Sequence, residues 1–299
     1  MAFKHTLLIL SVVAIWGINF VVIQIGLREV PPILLTFLRF FFAAFPAVFF
    51  IRRPKTSWLN LFYYSMSMLV LDFSFLFSGM YVGVSAGLAS LSLQTQVFFT
   101  ALLAVFFFKE SMSTSKILGA LVAFSGIGYV GFHTGGDLNL WGLLLVELAA
   151  LSWAIGNLVS KAIGKVDMLA LVIWGSLIAS PFLLALSFLL ESHLWTIRTL
   201  MHLSWESIGS VAYLVYPVTL FGFAVWSWLL HRYPATVVTP FTLLVPVFGF
   251  STSALVLHEA LPLWKLIAAC LILAGLVINL YGDKILARYR AKQTVISDM

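Results

Sequence analysis

A chain of 299 residues that is 62% hydrophobic and only 9% charged, with a mean hydropathy of +1.07, has too few polar side chains to cover a globular surface; soluble domains carry about 25% charged residues. This excludes a soluble enzyme and a nucleic-acid-binding module, the net charge of +6 notwithstanding, and makes hydrocarbon the solvent of most of the exterior. Each bilayer crossing then takes ~20 apolar residues, so length sets a number of helices rather than the size of a core.

Ten apolar segments succeed one another in chain order, at 6–26, 32–51, 60–82, 85–108, 115–132, 140–160, 167–190, 207–230, 233–257 and 262–282. The first, after MAFKH, is longer than a signal-peptide core and has no small-residue cleavage site behind it, so it reads as an uncleaved membrane helix. Breaks fall at Pro31-Pro32, RRPKTSW (52–58), KESMSTSK (109–116), HTGGDLN (133–139) and Pro262. The Tyr81–Ser85 break carries no charge; a turn is placed there because the third and fourth segments together are too long for one span. With the N-terminus inside, thirteen Lys and Arg (Lys4, Arg52, Arg53, Lys55, Lys109, Lys116, Lys161, Lys165, Arg232, Lys284, Arg288, Arg290, Lys292) fall on inner loops and tail, against three outside (Arg28, Arg198, Lys265). The positive-inside rule then puts both termini in the cytoplasm.

The two halves echo each other. ALSWAIGN (150–157) matches AIWGINF (14–20), Pro46 matches Pro181, and KESMSTSKILGALVAFSGI (109–127) aligns without gaps on HEALPLWKLIAACLILAGL (258–276), pairing Glu110 with Glu259, Lys116 with Lys265 and Gly126 with Gly275. Five spans per copy is an odd number, so the second copy must cross in the opposite sense. The expected fold is an all-α membrane protein of ten transmembrane helices, two inverted-topology five-helix repeats at 1–137 and 138–299, an architecture of secondary transporters that hold substrate between the halves.

Several phrases together carry a family resemblance: WGINFVVI (16–23), PPILLTFLRF (31–40), AFPAVFF (44–50), AGLASLSLQTQVFFT (86–100), Glu110, LSWAIGN (151–157), LVIW (171–174) and PFTLLVPVFG (240–249) followed by Glu259. Over nearly its whole length the chain resembles the EamA-type transporters of the drug/metabolite transporter superfamily, and within them bacterial exporters of cysteine-pathway metabolites. The resemblance implies efflux of cysteine, O-acetylserine or related small amino acids across the bacterial inner membrane, without ATP or another cofactor. Those exporters carry a neutral amide near Asp72 and a small residue near Glu147, so the two acids are departures. Rival readings are a carrier of drugs, sugars or purine-like metabolites, and a membrane scaffold that transports nothing.

Charges inside a bilayer are costly and default to functional candidates. Arg39 and Glu147 each lie about seven residues in from the outer end of their segments, a shared depth at ~1.5 Å per residue, where they are able to pair in an outward-facing chamber; Asp72 lies near the middle of its own. Arg39 is the candidate for a substrate carboxylate, since guanidinium binds one in bidentate fashion, and Asp72 or Glu147 for an ammonium group or a coupling proton. Ser85, Ala89, Ser92, Gln96 and Thr100 recur on one helix face, as do Glu147, Ala150, Ala154, Asn157 and Lys161, and both faces are expected to line the path. Asn19 and Trp16 offer a hydrogen bond and an aromatic wall. Pro217, Pro240 and Pro246 are expected to kink their helices, and Gly79 with Gly83 forms a close-contact GxxxG pair. Catalytic and metal-binding motifs are missing. Gly164-Lys165 is no phosphate loop, since Val159 and Val166 replace its glycine and hydroxyl residue; His258-Glu259 lacks a second histidine; Cys270 is the sole cysteine. The expected partners are a small-molecule substrate, the lipid bilayer and protons, with no nucleic acid, in a monomer or homodimer.

Overall fold

The computed structural model describes residues 2–110, 112–133, 139–195 and 203–297, and these form ten helices long and apolar enough to cross a membrane. They are α1 (Phe3–Gly26), α2 (Pro32–Phe49), α3 (Trp58–Tyr81), α4 (Ala86–Phe108), α5 (Thr114–Phe132), α6 (Leu140–Ile163), α7 (Met168–Leu194), α8 (Trp205–Arg232), α9 (Thr239–Val256) and α10 (Leu263–Asp283), the last continuing as helix to Ser297. Bulky apolar side chains stand on the outside, Phe50 at 80% and Phe132 at 87% exposure, as a hydrocarbon solvent requires. The uncharged break between α3 and α4 is a tight turn in which Gly83 takes φ +121°, a conformation open to glycine. The expected boundary at 137/138, Arg198 and most of the 133–139 break lie outside the described residues, as do the side chains of the basic tail.

Helix ends in a bilayer need partners for their free amides. Ser57, Ser113, Asn139, Asp167 and Ser204 supply side-chain caps at the starts of α3, α5, α6, α7 and α8. At α2, which opens on Pro31-Pro32, the amides of Ile33 and Leu34 donate instead to the Glu191 carboxylate near the end of α7, at 2.8 and 3.0 Å.

Three helix pairs five apart in order pack directly against each other, and each runs antiparallel. A Cβ on Gly119 of α5 would fall 2.6 Å from the Gly275 carbonyl oxygen of α10, while one on Gly126 would fall 3.2 Å from that of Ala268. In α2 and α7, Glu191 meets Ile33 and Trp174 donates to the Ile51 carbonyl at 2.9 Å. In α4 and α9, Gly87 faces Ser253 and Gln94 donates to the Thr242 carbonyl. Other contacts come in matching sets: α1 on α9 as α6 on α4, α3 on α6 as α8 on α1, α2 on α3 as α7 on α8.

Departures from regular helix recur in the same way. A π-helical stretch interrupts α3 at Ser65–Leu71 and α8 at Leu214–Phe221, the latter around Pro217. A 3₁₀ turn interrupts α4 at Leu93–Thr95, and one with Pro240 opens α9 at Thr239–Leu243. Proline removes a backbone donor and forces such a break; α3 and α4 have theirs without one. Gly79 packs on α6, where an added Cβ would lie 2.8 Å from the Gly142 carbonyl; its expected GxxxG partner Gly83 instead serves the turn.

One asymmetry breaks this pairing. The face where α1 begins and α10 ends is here the terminal face, and the opposite one the far face. Toward the far face, Ala86–Ser92 of α4 packs along Leu244–Val256 of α9 and against α1 and α10. A Cβ on Gly17 would lie 2.4 Å from that of Phe248, and one on Gly249 2.6 Å from the Ser90 hydroxyl. Toward the terminal face, no contact of comparable extent joins Gln96–Phe108 to the start of α9 among the described residues.

Candidate functional site

The 3₁₀ turns of α4 and α9 meet where those helices cross, with Gln94 Nε2 donating to the Thr242 carbonyl at 3.4 Å. Beside the crossing, Thr95 Oγ1 donates to Glu147 Oε2 at 2.8 Å, bringing α6 onto α4. Further toward the terminal face Asn157 Nδ2 donates to Thr100 Oγ1 at 3.2 Å, and at the rim Lys161 pairs with Glu110. The face expected on α6 therefore lies along α4 from Glu147 to Lys161. Lys161 holds the Glu110 carboxyl below its usual range, by hydrogen bond first and charge second.

The stripe expected on α4 does not run on as one face, because the 3₁₀ turn at Leu93–Thr95 rotates the remainder of the helix. Ser85 goes to the far face, where its hydroxyl donates to Glu259. Ser92 is fully buried, and Gln96 is half-buried at the crossing. Among the described residues, Ser92 Oγ, Gln96 Oε1 and Glu147 Oε1 have no hydrogen-bond partner. Thr95, the residue that reaches Glu147, lies off the stripe and carries no sequence signal that separates it from Ser92 or Thr100.

Arg39 and Glu147, whose shared depth left a pairing open, do not pair among the described residues. Equal depth is not adjacency: α2 packs on α3, α7 and α8, whereas α6 packs on α3 and α4. Arg39, 2% exposed, donates from Nε to Thr219 Oγ1 at 3.1 Å within the π-helical stretch of α8. Its guanidinium lies 4.2 Å from the Phe73 ring centre and 5.2 Å from that of Phe40. Its charged neighbour is Asp72, which follows the π-helical stretch of α3 and is wholly buried. Among the described residues Arg39 makes no ion pair within 4.0 Å, and Arg39 Nη1 and both Asp72 oxygens lack hydrogen-bond partners. Trp16 turns toward α8, donating to the Val218 carbonyl at 3.1 Å and packing on Trp226 and Phe223. Asn19 is buried with Oδ1 unpartnered among the described residues.

At the far face Glu259 accepts from Ser85, from the Gly87 amide at 3.2 Å and from Lys265 Nζ at 3.0 Å. Lys265, counted among the outer loop charges, is 1% exposed and sits inside this pair. Ser85 and Glu259 belong to the lining of a far-face depression of about 740 Å³, with Gln24, Arg28, Asn139 and His258 among others.

Comparison with known proteins agrees with this architecture. The profile of the EamA-like transporter family matches residues 4–132 and again 140–281. A probable amino-acid metabolite efflux pump of Salmonella typhimurium is 40% identical over 292 residues, covering 95% of this chain and 97% of that protein. A protein of the same description from Escherichia coli is 39% identical, over 94% and 96%. The uncharacterized transporter YoaV of Bacillus subtilis is 30% identical, over 93% and 97%. A solved crystal structure at 19% identity shares the fold with a TM-score of 0.64, over 97% of this chain and 99% of the other. With the family profile matched twice across ten membrane-length helices, this chain belongs to the EamA-like transporter family and is a multi-pass membrane transporter, not an enzyme.

Proposed function

We propose that this chain exports small amino-acid-like metabolites, of the cysteine and O-acetylserine type, across the bacterial inner membrane by alternating access between two inverted five-helix repeats, 1–137 and 138–299. The two relatives described as probable amino-acid metabolite efflux pumps match 95% and 94% of this chain. The antiparallel packing of α2 on α7, α4 on α9 and α5 on α10 supports the inversion. The thirteen-to-three distribution of Lys and Arg supports a cytoplasmic terminal face.

One observation carries the mechanism: α4 and α9 are packed together toward the far face, while no contact of comparable extent joins them toward the terminal face among the described residues. In that orientation the path opens to the cytoplasm and is shut outside, the state in which an exporter loads. Glu147 stands at the crossing, with Gln96, Thr100 and Asn157 toward the terminal face, and Ser92 and Asn19 are buried polar groups for the same path. Glu147 takes the substrate ammonium through Oε1 while Thr95 holds Oε2; the amides and hydroxyls complete the hydrogen bonds of a small polar solute. Arg39 supplies the carboxylate partner once the π-helical stretches of α3 and α8 shift. Asp72, out of reach of a solute in this state, serves as the proton carrier that couples export to a gradient.

The test is counterflow of labelled O-acetylserine and cysteine in proteoliposomes, with purified protein and Glu147→Gln. Loss of a charge-assisted contact predicts about tenfold or greater loss of rate at low substrate. Wild-type protein that moves neither solute, nor any other amino acid, under any gradient overturns the proposal.

A further inference from the structure

The two faces of the molecule hold one and the same turn in two different states. After α4 and after α9 the chain bends identically: Lys109 and His258 both take φ 53°. The amide of the next residue, Glu110 or Glu259, reaches back six positions, to the Ala104 carbonyl at 3.4 Å or that of Ser253 at 3.3 Å. Six residues beyond each glutamate comes a lysine, Lys116 or Lys265. Left-handed backbone is uncommon outside glycine, so its recurrence at matched positions makes the two turns structural equivalents.

Their side chains differ. Glu259 is buried, with its carboxylate on Lys265, Ser85 and the Gly87 amide. It fastens the first turn of α4 to the α9–α10 junction, at the end where the two helices are packed together. Glu110 is half exposed and bonded not to Lys116 but to Lys161, at the end of α6. That is the end where α4 and the start of α9 stand apart. The far-face contacts of α4's first turn with α1, α9 and α10 have as equivalents contacts of α9's start with α6, α4 and α5, and none of comparable extent is present among the described residues.

We infer that Glu259 and Glu110 are a matched pair of gate residues that shut opposite faces in turn. Glu259 holds the outside shut in this structure. When the cytoplasmic face shuts, Glu110 leaves Lys161, pairs with Lys116 and caps the chain entering α9, where the first amides have no intrahelical acceptor and a carboxylate is favoured. By the shared spacing the equivalents of Ser85 and Gly87 are Pro234 and Thr236. Proline offers neither hydroxyl nor amide hydrogen, so the cytoplasmic closure has one contact fewer than the outer one, and the empty protein favours the state seen here. The inference rests on the alternating-access reading above and adds the residues that carry the exchange.

Ser90 reports on it, being 1% exposed and packed on Gly249 beneath the outer closure. In Cys270→Ala/Ser90→Cys protein, labelling from outside intact cells with a membrane-impermeant maleimide is expected to be slow. Adding Glu259→Gln speeds it about tenfold or more, as loss of a charge-assisted contact from one of two balanced states. Adding Glu110→Gln to that protein brings the rate back toward the starting value, because the opposing closure is weakened as well. Ser85→Ala, which leaves the Glu259–Lys265 pair intact, gives a smaller rise in the same direction should Glu259→Gln fail to fold. Unchanged labelling in both outer variants, or a Glu110→Gln substitution that adds to the rise, overturns the gate pair. Cargo movement that continues while labelling stays unmoved counts against the gates alone; labelling shifts without cargo movement in the unsubstituted protein keep the gates and remove the export reading.

Discussion

At the scale of single residues, two acids in the membrane interior are held in different ways. Glu147 has one oxygen fixed by Thr95 and the other unpartnered among the described residues, beside the open half of the α4–α9 crossing. Thr95→Val keeps the volume and removes the hydroxyl, leaving a charged acceptor short of a donor at a cost of about 1–3 kcal/mol; export at low substrate is expected to fall about tenfold, read as initial counterflow rate. Asp72 sits in the wall, near Arg39 and away from the parted helices. Asp72→Asn is expected to abolish acceleration of export by an imposed pH gradient while gradient-independent counterflow continues. Wild-type pH dependence in that variant excludes Asp72 as the proton carrier.

These residues also show where the sequence stops being informative. Rise per residue gave Arg39 and Glu147 a common depth, but depth does not fix direction around the bundle, and α2 and α6 look onto different neighbours. The α6 face from Glu147 to Lys161 was legible because that helix is regular throughout. The α4 stripe was not, because the 3₁₀ turn at Leu93–Thr95 shifts the helical phase at a place where Leu-Gln-Thr gives no warning.

At the scale of elements, irregularity is placed in pairs. The breaks in α8 and α9 have prolines and were expected from them; those in α3 and α4 have none. Mid-helix π and 3₁₀ turns free backbone groups and mark hinges, and here all four lie in the helices that meet at the crossing or flank Arg39. The α5–α10 pair, by contrast, is regular and tight. A Cβ at Gly275 would sit 2.5 Å from the Gly119 carbonyl, whereas Gly128 has nothing within 4 Å. Gly275→Leu is expected to destabilise the protein by about 1–3 kcal/mol through overpacking, lowering its melting temperature in detergent, with Gly128→Leu near neutral. Equal effects at the two sites would mean that this helix pair is not a fixed frame.

At the scale of the whole molecule, ten helices and their internal repeat were legible in the hydropathy and in the Glu-to-Lys spacing of two turns. The uneven closure of the two faces was not, since both turns carry the same Glu and the same Lys six residues on, and what those side chains touch is set by the packing around them. Orientation admits a direct check. Fusing green fluorescent protein or alkaline phosphatase after residue 292 is expected to give fluorescence and no phosphatase activity; the reverse result would put the open half of the crossing outside and turn the proposed direction of transport around.

The replacement of Ser85 by Pro234 at the matching position has a physiological corollary. On the proposed export reading, an empty carrier whose outer seal is the stronger of the two rests facing the cytoplasm. External solute then meets few outward-facing sites and half-saturates the carrier at a higher concentration than internal solute does. Restoring the hydroxyl with Pro234→Ser is expected to even the two seals and raise the share of outward-facing carriers, visible as faster uptake of external amino acid at low concentration by cells that express it.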